Sequence, residues 1–409
     1  MSVIKVNQNL SFARKLPFSL QHVFAMFGST ILVPMLFQID PSLCLLCNGF
    51  GTLLYLFVTR NKIPAYLGSS FAFIAPVMLV IGKYGYSAAL SGFWVGGIIL
   101  MLLAGIIQRY GVGWIETVLP GSSIGAIVIV IGLELAPVAV KMSHLVGNYD
   151  VNSWVSLITL VATVIFSLFF RGFIRGIAVL LGMITGYLAA CILGVVNWHM
   201  VETAHWFSIP HWYSPEFNIN AIIMIVPAIL VVFAEHIGHL YVTGNIIGEN
   251  LVKRPWMNLS LFSNGASTCV SALLGATPNT TYGENIGVLA ITRVYSTYVI
   301  RLAAIIAIML AFCGKLSALI MSIPGCVIGG VSMLLFGVIA VSGIRMLVEK
   351  KIDFSHSHNL TVAAIILVIG VSGISIQVGT LELKGMGLAT MFAVVINLII
   401  YFTRSNKDS

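Results

Sequence analysis

Residues 276–287 read Ala276-Thr-Pro-Asn-Thr-Thr-Tyr-Gly-Glu-Asn-Ile-Gly287, and residues 66–76 read Tyr66-Leu-Gly-Ser-Ser-Phe-Ala-Phe-Ile-Ala-Pro76. Each stretch stands in a long apolar region where a membrane helix should continue. Each fills that place with Gly, Ser, Thr and Pro instead. Unwound backbone is tolerated at membrane depth only inside protein or against a water-filled cavity. It leaves free N–H groups at half-helix N-termini, which can donate to the carbonyl oxygens of a bound molecule. One such break reads equally well as a Pro or Gly kink. Two in matching positions of two halves point to the binding site of a transporter.

The composition around these stretches fits that setting. Of 409 residues, 59% are hydrophobic and 8% charged, against about 45–50% and about 25% in a soluble domain. So few charges cannot cover a soluble globule, which excludes a cytosolic enzyme, a disordered chain and a disulfide-stapled secreted domain. The apolar runs are continuous rather than alternating, which excludes a membrane β-barrel. The class that remains is an all-α polytopic membrane protein. The formal charge of +8 then reads as basic cytoplasmic loops facing anionic lipid, with no nucleic-acid partner.

A spanning helix needs about 20 mostly apolar residues. Fourteen candidates are predicted, near 17–38, 42–59, 69–82, 87–108, 118–138, 154–170, 174–197, 219–242, 257–274, 281–292, 295–313, 317–342, 359–375 and 385–403. The two interrupted segments, 69–82 and 281–292, are too short or too broken to cross as plain helices. Counting both as crossings puts 17 of the 21 basic residues, Arg404 and Lys407 among them, on the side of the termini. Only Lys83, Lys141, Lys315 and Lys384 fall on the other. The positive-inside rule therefore predicts cytoplasmic termini. The residues up to Arg14-Lys15 run straight into a full apolar segment with no small-residue cleavage site, so no cleaved signal peptide is predicted. Divided seven and seven, the broken segments become the third span of each half. An odd number per half makes the halves opposite in topology, a 7+7 inverted repeat.

Three carboxylates fall inside spans: Glu134, Glu235 and Glu284. Each costs about 2.5–3.5 kcal/mol even on lenient insertion scales and is a functional hypothesis by default. Glu134 lies near a span end before Pro137, where a structural hydrogen bond explains it as well as function does. Glu235 stands in Phe233-Ala-Glu-His-Ile-Gly-His-Leu240, with His239 four residues on and on the same helix face. Glu284 follows Gly283 inside the second broken span. Glu235 and Glu284 are expected to face one polar cavity, their hydrogen-bonding character changing with protonation. A helix-internal Glu235–His239 ion pair is the plainer alternative.

Carboxylates want N–H donors, while backbone N–H groups near Phe71 and Gly283 want carbonyl acceptors. A flat neutral ring with alternating N–H and C=O groups suits both, and Phe71, Phe73 and Tyr282 could stack on it. Phe73 reads better as ordinary core. Neither broken span contains Arg or Lys, which argues against a strongly anionic substrate. Glu235-His-x-x-His239 is no zinc motif, because the order is wrong and too few ligands are present. Cys44-x-x-Cys47 lies within a predicted helix and reads as two buried small hydrophobes.

The stretch Glu284-Asn-Ile-Gly-Val-Leu-Ala-Ile-Thr-Arg293 resembles the signature of the nucleobase–ascorbate transporter (nucleobase–cation symporter 2) family: Gln or Glu, Asn, any residue, Gly, four residues, Thr. Gln21-His22, Gly68-Ser-Ser-Phe-Ala-Phe73 and Glu235-His-Ile-Gly-His239 agree in order. The likeness runs along almost the whole chain, closest to the branch of bacterial uracil–proton symporters. The resemblance implies fourteen spans in a 7+7 inverted repeat, with a short strand and half-helix in spans three and ten. It implies a core domain from residues 1–112 (spans 1–4) and 219–314 (spans 8–11). A gate domain would come from 113–218 (spans 5–7) and 315–409 (spans 12–14). Carried over by motif, Glu235 and Glu284 would accept from the substrate N–H groups. The backbone N–H groups of Phe71 and Gly283 would meet its carbonyls, Tyr282 would line the pocket, and His239 would join the glutamates in proton coupling. The function implied is proton-coupled uracil uptake across the bacterial inner membrane. No cofactor is implied beyond the coupling proton, nor any catalytic or metal residue, and a homodimer through the gate side is expected. A purine (xanthine or urate) symporter of the same family is the alternative. A sulfate-type anion transporter of this architecture would need a cationic site, a membrane hydrolase or metalloenzyme would need a nucleophile–base pair or a ligand set, and a channel would need a continuous pore.

Overall fold

Apolar runs punctuated by Pro, Gly and Asp fold as helices in the computed structural model, which describes residues 3–147, 149–378 and 381–405. Lys407 of the charge count lies outside the described residues, as does the side chain of Arg404. The first part of the chain forms α1 (Phe12–Phe37), α2 (Pro41–Val58), β1 (Leu67–Ser69) and a 3₁₀ turn, Phe71–Phe73, leading into α3 (Ile74–Tyr84). There follow α4 (Tyr86–Tyr110), α5 (Gly113–Val118), α6 (Gly121–Met142), α7 (Val151–Phe169), α8 (Phe173–Gly176), α9 (Ala178–Ile192) and α10 (His199–Thr203). The rest comprises α11 (Ile219–Ile247), α12 (Trp256–Leu274), β2 (Asn279–Thr281), α13 (Gly283–Thr292), α14 (Thr297–Ala311) and α15 (Gly314–Met321). It closes with α16 (Gly325–Glu349), α17 (Ser357–Val371), β3 (Ser375–Val378), β4 (Leu381–Lys384) and α18 (Gly385–Ser405).

Among the described residues, eight helices are long and apolar enough to cross a membrane: α1, α2, α4, α6, α7, α11, α16 and α18. Shorter apolar helices are residues 71–84, α9, α14 and α17. The span expected at 118–138 is α6, beginning after Pro120, whereas the one expected as a single helix at 317–342 is split. Pro120 separates α5 from α6, and Pro324 separates α15 from α16. Proline lacks the N–H a helix needs and pushes the residue before it out of the helical region; Leu119, at φ −133°, shows this directly. The span expected at 174–197 is likewise divided into α8 and α9, which ends at Ile192. The β3–β4 hairpin, paired Ser375 to Lys384 through Val378 to Leu381, lies in a stretch where no strand was expected.

The helices pack in two groups. In one, α4 lies along α12, α2 along α14, and α1 and α11 join them; in the other, α6 lies along α16, α7 along α9, and α17 against α6 and α18. Helix α11 also touches α6 and α18, so it stands where the groups meet. Glycine makes the tightest crossings possible. A methyl on Gly97 of α4 would fall 2.6 Å from the Gly265 carbonyl oxygen of α12, and one on Gly343 of α16 would fall 2.7 Å from that of Gly125 on α6. Lipid tails are as apolar as Leu, so close packing must supply the attraction that water supplies elsewhere.

Loops assigned to the same side in sequence meet one another. At one end, the Ile4 N–H donates to the Arg293 carbonyl (3.0 Å) and the Arg301 guanidinium to Asn61 Oδ1 (2.8 Å). At the other, Asp40 accepts from the Ser42 N–H (2.9 Å), the His211 N–H (2.9 Å) and the Ser317 hydroxyl (2.7 Å). Burial works to raise the Asp40 pKa, but these donors outweigh it and hold the carboxyl below 3.8.

Candidate functional site

The two interrupted segments are joined to each other. Strands β1 and β2 pair antiparallel, Leu67 opposite Thr281, Gly68 opposite Thr280 and Ser69 opposite Asn279. Beyond the ladder, the Ser70 N–H donates to the Pro278 carbonyl (3.2 Å), and the Ser69 and Thr277 hydroxyls meet at 2.6 Å. All six strand residues are buried. Irregular backbone at this depth must find partners within the protein, and neighbouring helices provide them. The Thr52 hydroxyl accepts from the Leu67 N–H (2.9 Å), and the Thr268 hydroxyl donates to the Asn279 carbonyl (3.0 Å). The Asn279 Nδ2 reaches the Cys47 carbonyl (2.9 Å), Ser267 Oγ (3.1 Å) and Ser271 Oγ (2.9 Å).

These contacts explain the makeup of α12. Its Ser260, Asn264, Ser267, Thr268 and Ser271 recur at helical spacing and are all buried, so the helix turns its polar stripe inward, the last three onto β2 and the first two onto His236 of α11. This stripe went unread in sequence, though a helix with polar residues on its inner face was the available signal.

Immediately after each strand a helix starts. Neither the turn beginning at Phe71 nor α13 beginning at Gly283 has a side-chain cap. Their first N–H groups carry the positive end of a helix dipole. Glu284 stands in the first turn of α13. Glu235 comes from the continuous α11, within electrostatic reach of Glu284. His239 Nε2 lies 3.8 Å from Glu235 Oε1, and the nearest side-chain atom to a methyl built on Gly283 would be that same Nε2, at 3.5 Å. The side chains of Glu235 and His239 are 34% and 17% accessible; Gly283 and Glu284 are exposed and Phe71 half-buried. The structure thus brings Glu235, His239 and Gly283 together, with Glu284 next along α13 and Phe71 at the start of the facing helix.

Tyr282 is placed differently from a simple lining residue. Its side chain is buried, its hydroxyl donates to the Ser69 carbonyl (2.5 Å), and its ring meets the edge of Phe71 at 5.7 Å. It bolts the two broken segments together. Phe73 packs edge-on against Phe93 (5.6 Å) in the core. Asn285 donates to the Pro64 carbonyl (3.5 Å) and is in hydrogen-bonding reach of buried His22. Cys44 and Cys47 are buried free thiols; Cys44 accepts from Thr277. Glu134 joins a different contact: one oxygen accepts from the Met386 N–H (2.8 Å) at the N-terminus of α18, the structural one of the two uses left open for it.

Sequence reasoning also missed His236 and Thr281. His236 is buried; its Nδ1 is 3.1 Å from Thr281 Oγ1 and 2.9 Å from Asn264 Nδ2, and its Nε2 is 3.0 Å from Ser260 Oγ. Thr281 Oγ1 also lies 3.3 Å from His239 Nδ1.

Comparison with known proteins gives the family and the fold. Residues 13–379 match the profile described as "Permease family". A uracil permease of Paenibacillus larvae is 53% identical over 404 residues, 97% of this chain and 96% of that protein. A uracil permease of Escherichia coli K12 is 50% identical over 401 residues, 97% of this chain and 93% of that one. In fold, the chain is similar to SLC26A9, with a TM-score of 0.72 at 12% identity over 96% of this chain and 65% of that one. The chain is therefore an integral membrane transporter and not an enzyme, and it belongs to the permease family whose nucleobase–ascorbate signature its tenth apolar segment carries.

Proposed function

We propose that this permease takes up uracil together with a proton across the bacterial inner membrane by alternating access. The observation that carries the reading is that Glu235 and His239 of a continuous helix stand against Gly283, one residue before Glu284 in the first turn of a broken one. Uncapped helix N-termini start at Phe71 and Gly283. Two carboxylates offer acceptors to the ring N–H groups, and the helix ends offer donors to its carbonyls. The relatives at 53% and 50% identity that bear the name uracil permease support this choice of ring. Glu235, Glu284 and His239 are the coupling groups. The loaded carrier reorients, while the half-loaded one is held back.

In this reading fourteen segments cross the membrane as a 7+7 inverted repeat with both termini cytoplasmic. Residues 1–112 and 219–314 form a core domain that carries the site, and 113–218 with 315–409 form the gate domain, through which two copies pair. The grouping of helices around α4–α12 and around α6–α16 supports that division. The exposed stripe on α13 from Glu284 past half-buried Gly287 to Ile291 runs toward Arg293 and supports a hollow open to the cytoplasm.

The test is radiolabelled uracil uptake into proteoliposomes with and without an imposed pH gradient, with unlabelled uracil and xanthine as competitors. Accumulation driven by the gradient and blocked by uracil alone is expected. Uptake indifferent to the gradient removes the coupling, and competition by xanthine in place of uracil assigns the site to a purine. His239→Ala is expected to hurt gradient-driven accumulation more than equilibrium binding; equal losses remove its coupling role.

A further inference from the structure

Residues 3–7, ahead of α1, alternate in exposure. Val3, Lys5 and Asn7 are exposed, while Ile4 and Val6 are half-buried. That is the pattern of a strand laid on a surface. The surface is the corner between α13 and α14. Ile4 pairs in parallel with buried Val294. Its N–H donates to the Arg293 carbonyl (3.0 Å), and its carbonyl accepts from the Tyr295 N–H (2.9 Å). The Val6 carbonyl accepts from both the N–H (3.0 Å) and the hydroxyl (3.2 Å) of Thr297. The Gln8 carbonyl accepts from the Ser296 hydroxyl (2.6 Å).

Backbone groups at helix ends lack partners within their own helix. Helix α13 stops at Thr292, with Arg293 in the left-handed region at φ 56°, and α14 starts at Thr297. Ser296 holds the N-cap position of α14, yet its side chain does not cap that helix. The segment ahead of α1 serves the corner instead, taking the first N–H of α14 and the Ser296 hydroxyl. Helix α13 needs such a hold. It has ten residues, about 15 Å of length. Asn285, Ile286, Val288 and Leu289 are buried, whereas Gly283, Glu284, Ala290 and Ile291 are exposed. A helix this short is marginal by itself, and packing on one face leaves its tilt to its ends. The front end leaves strand β2, which is tied to β1; the rear end is the Arg293 corner.

We propose that Ile4 and Val6 are positioning residues, whose strand braces the rear of α13 and so fixes where its first N–H groups and Glu284 stand. The chain thereby supplies its own added strand, as peptides do when they extend an exposed backbone edge. The brace acts on affinity and not on reorientation, because it joins α1, α13 and α14, which belong to one group of helices. The proposal rests on α13 as the half-helix that receives the substrate, and the experiment keeps the two ideas apart.

Amide hydrogen exchange of the wild type in lipid nanodiscs reads the docking. The N–H groups of Tyr295 and Thr297 are expected to be protected, and fast exchange at both overturns the proposal with no variant needed. Ile4→Pro takes away the hydrogen that Arg293 accepts. It is expected to weaken equilibrium uracil binding about fivefold, the worth of one neutral hydrogen bond. KM for uptake should rise by the same factor while kcat is kept, and Ile4→Val, which retains the N–H, should match wild type. Ser296→Ala removes a hydroxyl that α14 does not use and should weaken binding from the other side of the pairing. Uracil affinity unchanged in both Ile4→Pro and Ser296→Ala overturns the proposal. So does a fall in kcat as large as the loss of affinity, or failure of Ile4→Val to behave as wild type. If the wild type binds xanthine in place of uracil, the substrate reading fails alone, and the same comparison made with xanthine decides the brace.

Discussion

Replacing Asn279 by Ala tests whether the paired strands depend on their anchor. The substitution removes three interactions of 2.9, 3.1 and 2.9 Å, with the Cys47 carbonyl and the hydroxyls of Ser267 and Ser271. An orphaned buried polar group costs about 1–3 kcal/mol, but few orphans are left here. The Cys47 carbonyl keeps its place within α2, and serine hydroxyls in a helix can turn back to carbonyls of the preceding turn, as Thr52 does to Asn48 at 2.7 Å. The smaller figure for hydrogen bonds inside membrane proteins, ~0.6 kcal/mol each, is therefore the better guide, and three sum to about 2 kcal/mol. At roughly 2–4 °C per kcal/mol for a domain of 150–250 residues, the midpoint of thermal unfolding in detergent should fall by several degrees. Uracil binding should weaken as well, because Asn279 stands four residues before Gly283 and fixes where α13 begins. Differential scanning fluorimetry and equilibrium binding on the same preparation check both. A variant that matches wild type in midpoint and affinity would refute the view that α12 holds β2 in place.

Glu235→Ala and Glu284→Ala should each abolish uracil uptake, and normal uptake in either would remove that residue from the site. Glu284→Gln exchanges a charged acceptor for a neutral one. About 1.4 kcal/mol separates those hydrogen bonds, so binding should weaken roughly tenfold, read by scintillation proximity. Gly97→Leu drives a side chain into the Gly265 backbone and should cut the yield of folded protein in detergent, whereas the same change at Gly105, which faces open space, should not. Asp40 has a pKa below 3.8 when folded. Its contribution to stability is present above that value and is lost as pH falls through the lowered one. Asp40→Asn should therefore flatten the acid end of a stability-versus-pH curve, visible as a smaller fall in unfolding midpoint below about pH 4.

The two breaks were legible because Pro, Gly and hydroxyl residues interrupt apolar runs that nothing else interrupts. Glu235, His239 and Glu284 were legible because a carboxylate at membrane depth needs a reason. The pairing of β1 with β2 was hidden, since three-residue strands carry no periodicity and their partners are about 210 residues apart. The inward stripe of α12 and the roles of His236, Thr281 and Asn279 were hidden for another reason. Small neutral polar residues cost little in a helix, so they do not stand out until their partners are seen. The break at Pro324 was overlooked because the apolar pattern continues through it.

The strand pair carries a mechanical consequence. Shear between Leu67–Ser69 and Asn279–Thr281 would sever a backbone ladder where no water waits to replace the lost bonds. In the proposed alternating-access cycle the opposed helix ends must therefore travel as one rigid tray, keeping a constant gap whichever face of the bilayer they address. Ring size is then gauged by a fixed caliper, and a covalent staple across the ladder would leave turnover intact.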